Sequence, residues 1–389
     1  DTHSSTINAL TPAGTYQSFA ANVPVRTGLG LQTVPTRTNL AVYSTDTTNA
    51  NWTVSAASKT TGQTDFLGGT GAALVTADGT SASHSMSAAQ TTGLTYTNGT
   101  TYSLSRIVKP GTQTLLQLSG PFAAFGGSQY ANFSLTGAGS ITASAGLTSS
   151  GVQALAGGWY RIWVTLPATA TVGAAGGVIG FISSGSDTRL PTNSLATNYT
   201  DFGAQVEAAA FPSPLIVTAG ASATVNGNQQ VIDLTGKLAT GASGFMQVSI
   251  QNPSGGAFDP YVFDISDGTA NNRLNVRNNS TNFRVSAAAG GVSQAAFNAA
   301  AWQTGIVTLA FAISTNYVNV RIVGQADPGA VTSATYPTGM TIFTVGGLGT
   351  GTGSNIFQYT RKLALKFGPQ NASTFAAAFA AAQLAAVSP

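Results

Sequence analysis

The feature that most restricts this chain is a two-residue rhythm. In GFMQVSIQN, Met246, Val248 and Ile250 alternate with Gln247 and Ser249, the pattern of a strand with one buried face. The rhythm returns in TYSLSRIVKPG, where Tyr102, Leu104, Arg106 and Val108 share a side, and in GGWYRIWVTLPA, NRLNVRN, NFRVSAAAG, GIVTLAFAIS, YVNVRIVG and RKLALKFG. Turn pairs such as Asn98-Gly99, Pro110-Gly111, Gly126-Gly127 and Gly157-Gly158 separate these segments. Gly and Asn accept the positive φ of tight reversals, and Pro fixes the entry. Short strands at this spacing predict antiparallel sandwiches rather than βαβ units. The one convincing helix is STFAAAFAAAQLAAV. Ser373 or Thr374 is its expected cap, and Phe375 and Phe379, one turn apart, are expected to face the second sandwich.

Composition narrows the function. Charged residues make up 7% of the chain, against about 25% in an average domain, so Thr, Ser, Asn and Gln must form the polar surface. Apolar residues at 43% supply enough core to exclude a disordered chain. The net charge of +3 rests on 15 cations against 12 anions, and the cations are dispersed. Only Arg361 and Lys362 are adjacent, and alternation places Lys362 and Lys366 on the outer side of a strand whose other side carries Leu363, Leu365 and Phe367. Nucleic-acid binding needs clustered cations and is not expected. Without cysteine there is no disulfide framework and no thiolate metal site. No run of about 18 apolar residues is present, so no membrane insertion is expected.

The rhythm divides the chain into three parts. Residues 1–38 form an extended lead-in, too polar to fold alone and suited to anchoring other chains. Residues 39–213 make a first sandwich and 214–389 a second, with the helix at its end. In DFGAQVEAAAFPSPLIVTAG, DFGAQV completes the first sandwich, and PSPLIVT, with Pro212 and Pro214, leads out of it.

Several of these segments, taken in order, resemble tailed-phage and prophage virion proteins. Phe202-Gly203-Ala204-Gln205-Val206-Glu207, followed by Phe211, is similar to the strand that ends a carbohydrate-binding-module-like jelly roll in such proteins. PTRTNLAVYSTDTTNANWT (35–53), TYTNGTTYSLSRIVKPG (95–111), GGWYRIWVT (157–165) and the lead-in STINALTPAGTYQSFAANVPV agree in the same order. Residues 261–387, through DISDGTANNRLNVRN, AAWQTGIVTLAFAI and a closing strand plus helix at 361–387, resemble a concanavalin A-like lectin or glucanase sandwich. Leu215 and Val217 depart from the pattern, which usually has Tyr and Pro there. The resemblance implies an all-β chain of two antiparallel β-sandwiches in series, jelly roll then concanavalin A-like, with a short C-terminal helix. It implies a virion structural protein of tail fibre, head fibre or spike type, without assigned catalytic residues. The expected place is the virion surface, in a homo-oligomer with a trimer as the guess, holding other virion proteins and host cell-surface glycan for host attachment. A capsid or tail decoration protein that binds no sugar is the first alternative, and a polysaccharide depolymerase the second.

The chemistry is read residue by residue. Glycoside hydrolysis needs two carboxylates facing one sugar, about 5 to 9.5 Å apart, and no Glu-x-Asp-x-Glu spacing occurs. Asp201 and Glu207, six apart, are expected on one strand face and about 20 Å from each other on a straight strand. Glu207, the chain's sole glutamate, is expected to pair with an arginine or accept backbone hydrogen bonds at a strand end, with catalysis as the minority reading. His3 and His84 sit near no Gly-x-Ser-x-Gly elbow. No cofactor is expected. Calcium is the open alternative at Asp259, Asp264 and Asp267, within nine residues, although Asp267-Gly268 is also a standard turn pair. In the second sandwich Trp302 is expected in the core. The best binding feature is GGWYRIWVTL: Tyr160, Ile162, Val164 and Leu166 face one way, and Trp159, Arg161 and Trp163 the other. That second row is either a carbohydrate-binding platform or a surface packed under a loop or subunit.

Overall fold

The structure, a computed structural model, describes residues 6–21, 23–88, 94–173, 176–251, 260–347, 356 and 358–387. It is an all-β chain of two antiparallel sandwiches with one short C-terminal helix. The two compact units comprise residues 10–17 with 37–225, and residues 1–9 and 18–36 with 226–389.

In the first unit, one sheet runs in the order Ser149–Ala154, Tyr160–Pro167, Thr101–Pro110, Asn198–Glu207, Ala72–Ala77, Ala57–Gln63. We call it the tryptophan sheet. The facing sheet runs Ser140–Ala145, Tyr130–Ser134, Leu115–Ser119, Val178–Phe181, Ser85–Ala88, Trp52–Ser55. Between them lie Leu104, Val108, Ile162, Val164, Leu166, Leu116, Phe133 and Phe181, all fully or nearly fully buried. Leu104 and Val108, and Ile162, Val164 and Leu166, are the rows that the two-residue period grouped on one side of their strands. The same inward row includes Arg106, which is 2% exposed. Its Nη1 donates to Asp201 Oδ2 at 3.0 Å, its Nη2 donates to the Gly177 carbonyl at 3.2 Å, and its guanidinium lies 4.1 Å from the Trp52 ring.

In the second unit, one sheet runs Gln230–Asp233, Ile342–Val345, Tyr261–Ser266, Arg273–Asn278, Asn282–Ala289, Val292–Ala301. The other runs Tyr317–Ile322, Gly305–Ser314, Gly241–Ile250, Gln358–Phe367, Gly30–Thr33, Arg26–Thr27. Phe263, Phe311 and Phe343 meet in the core, and Trp302 joins it with its ring 4.5 Å from that of Phe283. The helix Ala372–Val387 lays Phe375, Phe379 and Ala382 against Ala310, Ala312 and Tyr317. Its cap is Asn371 rather than Ser373 or Thr374: Asn371 Oδ1 accepts from the backbone N–H groups of both, satisfying first-turn donors.

The domain limits differ from those read in the sequence. The described part of residues 1–38 is not a separate lead-in. Gly30–Thr33 pairs with Gln358–Phe367 through Thr33↔Gln358, Gln32↔Tyr359 and Leu31↔Thr360, so part of the expected anchor is an edge of the second sandwich. The first sandwich is therefore nested in the sequence of the second. Its entering strand Arg37–Asn39 and leaving strand Ala223–Val225 pair side by side, which closes the insertion. The segment PSPLIVT does not lead out at residue 214. Ser213, Leu215 and Ile216 are buried. Gln205 holds them, its Oε1 accepting from Ile216 N at 2.7 Å and its Nε2 donating to Ser213 O at 3.3 Å.

A bulge also overturns the expected common face of Asp201 and Glu207. The register between Thr101–Pro110 and Asn198–Glu207 shifts between Ser105 and Ile107, and Gly203 there has φ of +62, a value that favours glycine. The extra residue turns Asp201 inward to Arg106, whereas Glu207 stays on the outer side.

Candidate functional site

The expected aromatic row lies on the outer side of the tryptophan sheet, and its three members meet different fates. Trp159 is 5% exposed. Leu155, Phe202, Leu10, Tyr16 and Phe66 surround it, with Phe66 and Phe202 ring centroids each 6.2 Å away. Arg161 is also 5% exposed; its Nη2 donates to Ser105 Oγ at 3.0 Å and its Nη1 to Tyr16 Oη at 3.3 Å. Residues 10–17 thus cover these two side chains, and neither presents a face for a sugar. The exposed three-residue platform is corrected to one residue.

That residue is Trp163, which is half-buried. It stands opposite Gly151 on one side and Ser105 on the other. A Cβ at position 151 would fall inside the Trp163 ring, so the indole lies on the bare backbone of the neighbouring strand, with its opposite face turned away from the sheet. Its Nε1 has no hydrogen bond among the described residues. One register step on, the hydroxyls of Thr165 and Ser103, paired across the strands, are buried without a partner among the described residues. Gly151 went unremarked in the sequence, yet a signal existed. Gly151 and Trp163 are equidistant from Gly157 at the Gly157-Gly158 turn, and hairpin register follows from that symmetry.

The acids are engaged by their own surroundings. Glu207, 1% exposed, accepts from Ser213 N at 2.8 Å on Oε2 and from Ser213 Oγ at 2.6 Å on Oε1, the strand-end role expected of it. Burial lowers the pKa of the neighbouring Arg37, with the Glu207 charge opposing that shift, and the Arg37 guanidinium lies 4.7 Å from the Phe211 ring. Asp65 accepts three loop N–H groups, from Leu67, Gly69 and Gly71. Asp187 Oδ2 accepts from the backbone N–H groups of Ser183 and Ser184.

Of the calcium candidates, Asp259 lies outside the described residues. Asp264 is fully buried on Tyr261–Ser266. Asp267 uses Oδ1 for the N–H and hydroxyl of Thr269 and Oδ2 for Asn272 Nδ2, the bonds of its own turn. Among the described residues no three His, Cys, Asp or Glu side chains gather as a metal site. His84, read as part of a polar strand, is 1% exposed, with its two ring nitrogens against the carbonyls of Ala56 and Asn193.

No family model and no curated protein matches the chain. Among solved structures, it is similar to the NanB sialidase from Streptococcus pneumoniae at 16% identity, a TM-score of 0.31 and 37% coverage of this chain. The match spans a quarter of the sialidase, 25% of its length. It is also similar to domains LG4-5 of the mouse laminin α1 chain, at 11% identity, TM-score 0.25 and coverage of 70% of this chain and 85% of that one. A further similarity is to the LG1-3 region of the laminin α2 chain, at 10% identity, TM-score 0.25 and coverage of 70% and 61%.

Proposed function

We propose that this chain is a non-enzymatic adhesive protein of a phage-type virion surface, and that Trp163 is its glycan-contacting residue in the first sandwich. The observation that carries this reading is the placement of the Trp163 indole over Gly151. A ring held flat on a strand presents an apolar face of fixed orientation, and the C–H face of a pyranose stacks on such a surface. The free Nε1 supplies a donor for a sugar hydroxyl. The engagement of Glu207, Asp65, Asp187 and Asp267 in structural bonds supports adhesion rather than cleavage, because a hydrolase needs two acids free to face one sugar. A single stacking site is weak. Display of many copies on a homo-oligomeric particle multiplies it.

The test is a glycan array combined with a reducing-end assay. Binding without release of sugar ends is the expected result. Release would establish the depolymerase, and silence in both would leave the decoration role. For the glycan bound, Trp163→Leu keeps Gly151 covered but removes the flat ring, and affinity falls at least about tenfold, about 1.4 kcal/mol. Trp163→Tyr recovers part of it. Gly151→Ala leaves the tryptophan in the sequence but pushes the ring off its seat, and binding falls similarly. Trp159→Phe behaves oppositely: the melting temperature drops by a few degrees, consistent with about 1 kcal/mol of lost packing, and binding is unchanged. If Trp163→Leu binds as the wild type does, this site is wrong.

A further inference from the structure

Each residue of a strand carries a main-chain donor and acceptor, so a long strand has the most to lose when one side of it is unpaired. The described residues form six strands of ten residues: Thr101–Pro110, Asn198–Glu207, Gly241–Ile250, Val292–Ala301, Gly305–Ser314 and Gln358–Phe367. Five of them lie inside their sheets with a strand on each side. Val292–Ala301 is the exception. It ends its sheet, paired with Asn282–Ala289 alone, and among the described residues no other main-chain segment bonds to it.

Natural edges are blunted by short length, charge, proline or a covering segment, and the other edges of the second sandwich obey. Arg26–Thr27 has two residues, Gln230–Asp233 has four and carries an aspartate, and Tyr317–Ile322 is bridged by Val331 at Val318. Val292–Ala301 reads VSQAAFNAAA, without a charge or a proline. Ala295 and Ala299 enter the core and Phe297 packs against it, whereas Val292, Ser293, Ala296, Asn298 and Ala301 are exposed. Two register shifts, with Gln294 and Ala299 as the extra residues, bracket a regular run of Ala295–Asn298. Bulges bend a strand locally, so the undisturbed part of this edge is its middle. The amides beside it are engaged within the chain: Gln294 Oε1 accepts from Thr335 N at 2.8 Å, and Asn298 Oδ1 accepts from Arg284 Nη1 at 3.4 Å. What the edge lacks is main chain.

We propose that this edge joins two copies of the chain, their strands Val292–Ala301 running antiparallel about a two-fold axis at Ala296. A strand paired with its own copy in this way sets donors against acceptors whatever its side chains, and a two-fold contact uses the same patch on both subunits. Charge decides for a second copy as the occupant. Like charges directly opposite each other destabilise a sheet, and a strand that meets itself opposes like with like, so only an uncharged one does so without repulsion. Residues paired across the axis share a face of the sheet. With the axis at Ala296, that residue meets its own copy and Ala295 meets the second copy's Phe297, small against large. An axis at Phe297 would instead set two phenyl rings against each other. The contact makes the two sheets continuous, and it excludes a three-fold ring built on this edge, since one edge takes one neighbour. It concerns assembly and stands whether or not Trp163 binds a glycan.

The experiment uses the full chain, which has no cysteine, so that a single introduced thiol reports a single contact. Ala296→Cys is expected to give a covalent dimer on mild oxidation, because the two thiols face each other across the axis. Ser58→Cys, exposed on the edge strand Ala57–Gln63 of the first sandwich, is the control and stays largely uncrosslinked. Sedimentation over a concentration series, since association follows mass action, is expected to show a dimer for the wild type. Ala296→Lys opposes two ammonium groups across the axis and weakens that dimer at least about tenfold. Ala296→Ser, the same exposed position without the charge, keeps it, and an unchanged circular dichroism spectrum in both variants separates loss of association from loss of fold. The proposal is overturned if the wild type is a monomer or a trimer throughout the series, if Ala296→Lys associates as the wild type does, or if Ala296→Cys crosslinks no more than Ser58→Cys.

Discussion

Replacing Asp201 with alanine is expected to lower the unfolding free energy of the first sandwich by about 3–5 kcal/mol at neutral pH. The side chain is fully buried and accepts from Arg106, itself 2% exposed, at 3.0 Å. Removing the carboxylate leaves a buried guanidinium between two sheets without its charge partner. Arg106→Leu has a similar effect by the opposite route, leaving the Asp201 carboxylate without its hydrogen-bonding partner and the Gly177 carbonyl without its donor. The double change Asp201→Leu with Arg106→Leu is far milder than the sum, because an apolar pair of comparable volume needs no partner. Urea unfolding of the four proteins measures this coupling. A cost for Asp201→Ala below about 1 kcal/mol, or strict additivity in the double variant, would remove the ion pair from the account.

The same pair sets a pH dependence. Burial pushes the Asp201 carboxyl up from 3.8 to about 6, with Arg106 and Lys59 acting against it. A folded-state value above the unfolded one means that the folded state binds the proton more tightly. The contribution to stability is therefore complete below about pH 4 and is lost as the pH rises through 6. The change approaches about 3 kcal/mol at most, two units at about 1.4 kcal/mol each. Asp201→Asn, which does not titrate, lacks this slope, so the difference between the two stability profiles from pH 4 to 7 isolates the group. A wild-type profile that rises over that range relative to Asp201→Asn contradicts the assignment.

Much of this fold was legible because strand side chains alternate with a fixed period. The split of GGWYRIWVTL into Tyr160, Ile162, Val164 and Leu166 against Trp159, Arg161 and Trp163 is what the structure contains. Trp302 in the core and the Phe375–Phe379 face of the helix follow from the same logic. Alternation says which way a residue points. It does not say whether water or another segment waits there. Tyr16, which meets Arg161, is 145 residues away in sequence, and its segment carries no periodic pattern that would announce a cover. The bulge at Gly203 was illegible for a related reason. One inserted residue reverses every later side chain, and a lone glycine between Phe202 and Ala204 does not declare itself a bulge. The pairing of Arg277 with Arg284 across two adjacent strands shows the converse. Positions 273, 277 and 284 look scattered until the hairpin that joins them supplies the register.

The pairing hardest to see in sequence yields the second large effect. Gly30→Val is expected to detach the strand Gly30–Thr33 and to destabilise the second unit by at least about 3 kcal/mol. Gly30 has φ of +127, and a Cβ there would stand 2.6 Å from the Thr360 carbonyl oxygen. The backbone angle alone costs about 1–3 kcal/mol for a side-chain-bearing residue, and the clash adds to it because the obstacle is main chain. Loss of the strand unpairs the Gln358–Phe367 edge at Gln358, Tyr359 and Thr360, creating an open edge of the kind that recruits other chains. Deleting residues 1–36 removes the same strand together with buried Val25 and Val34, and the cost is larger, on the order of 5 kcal/mol. Calorimetry decides the matter, since the unit built from residues 18–36 and 226–389 must lose stability and aggregate on heating. A lead-in that served only as an anchor would leave the melting of both units unchanged in Gly30→Val. That outcome would return residues 1–38 to the detached role their composition suggests.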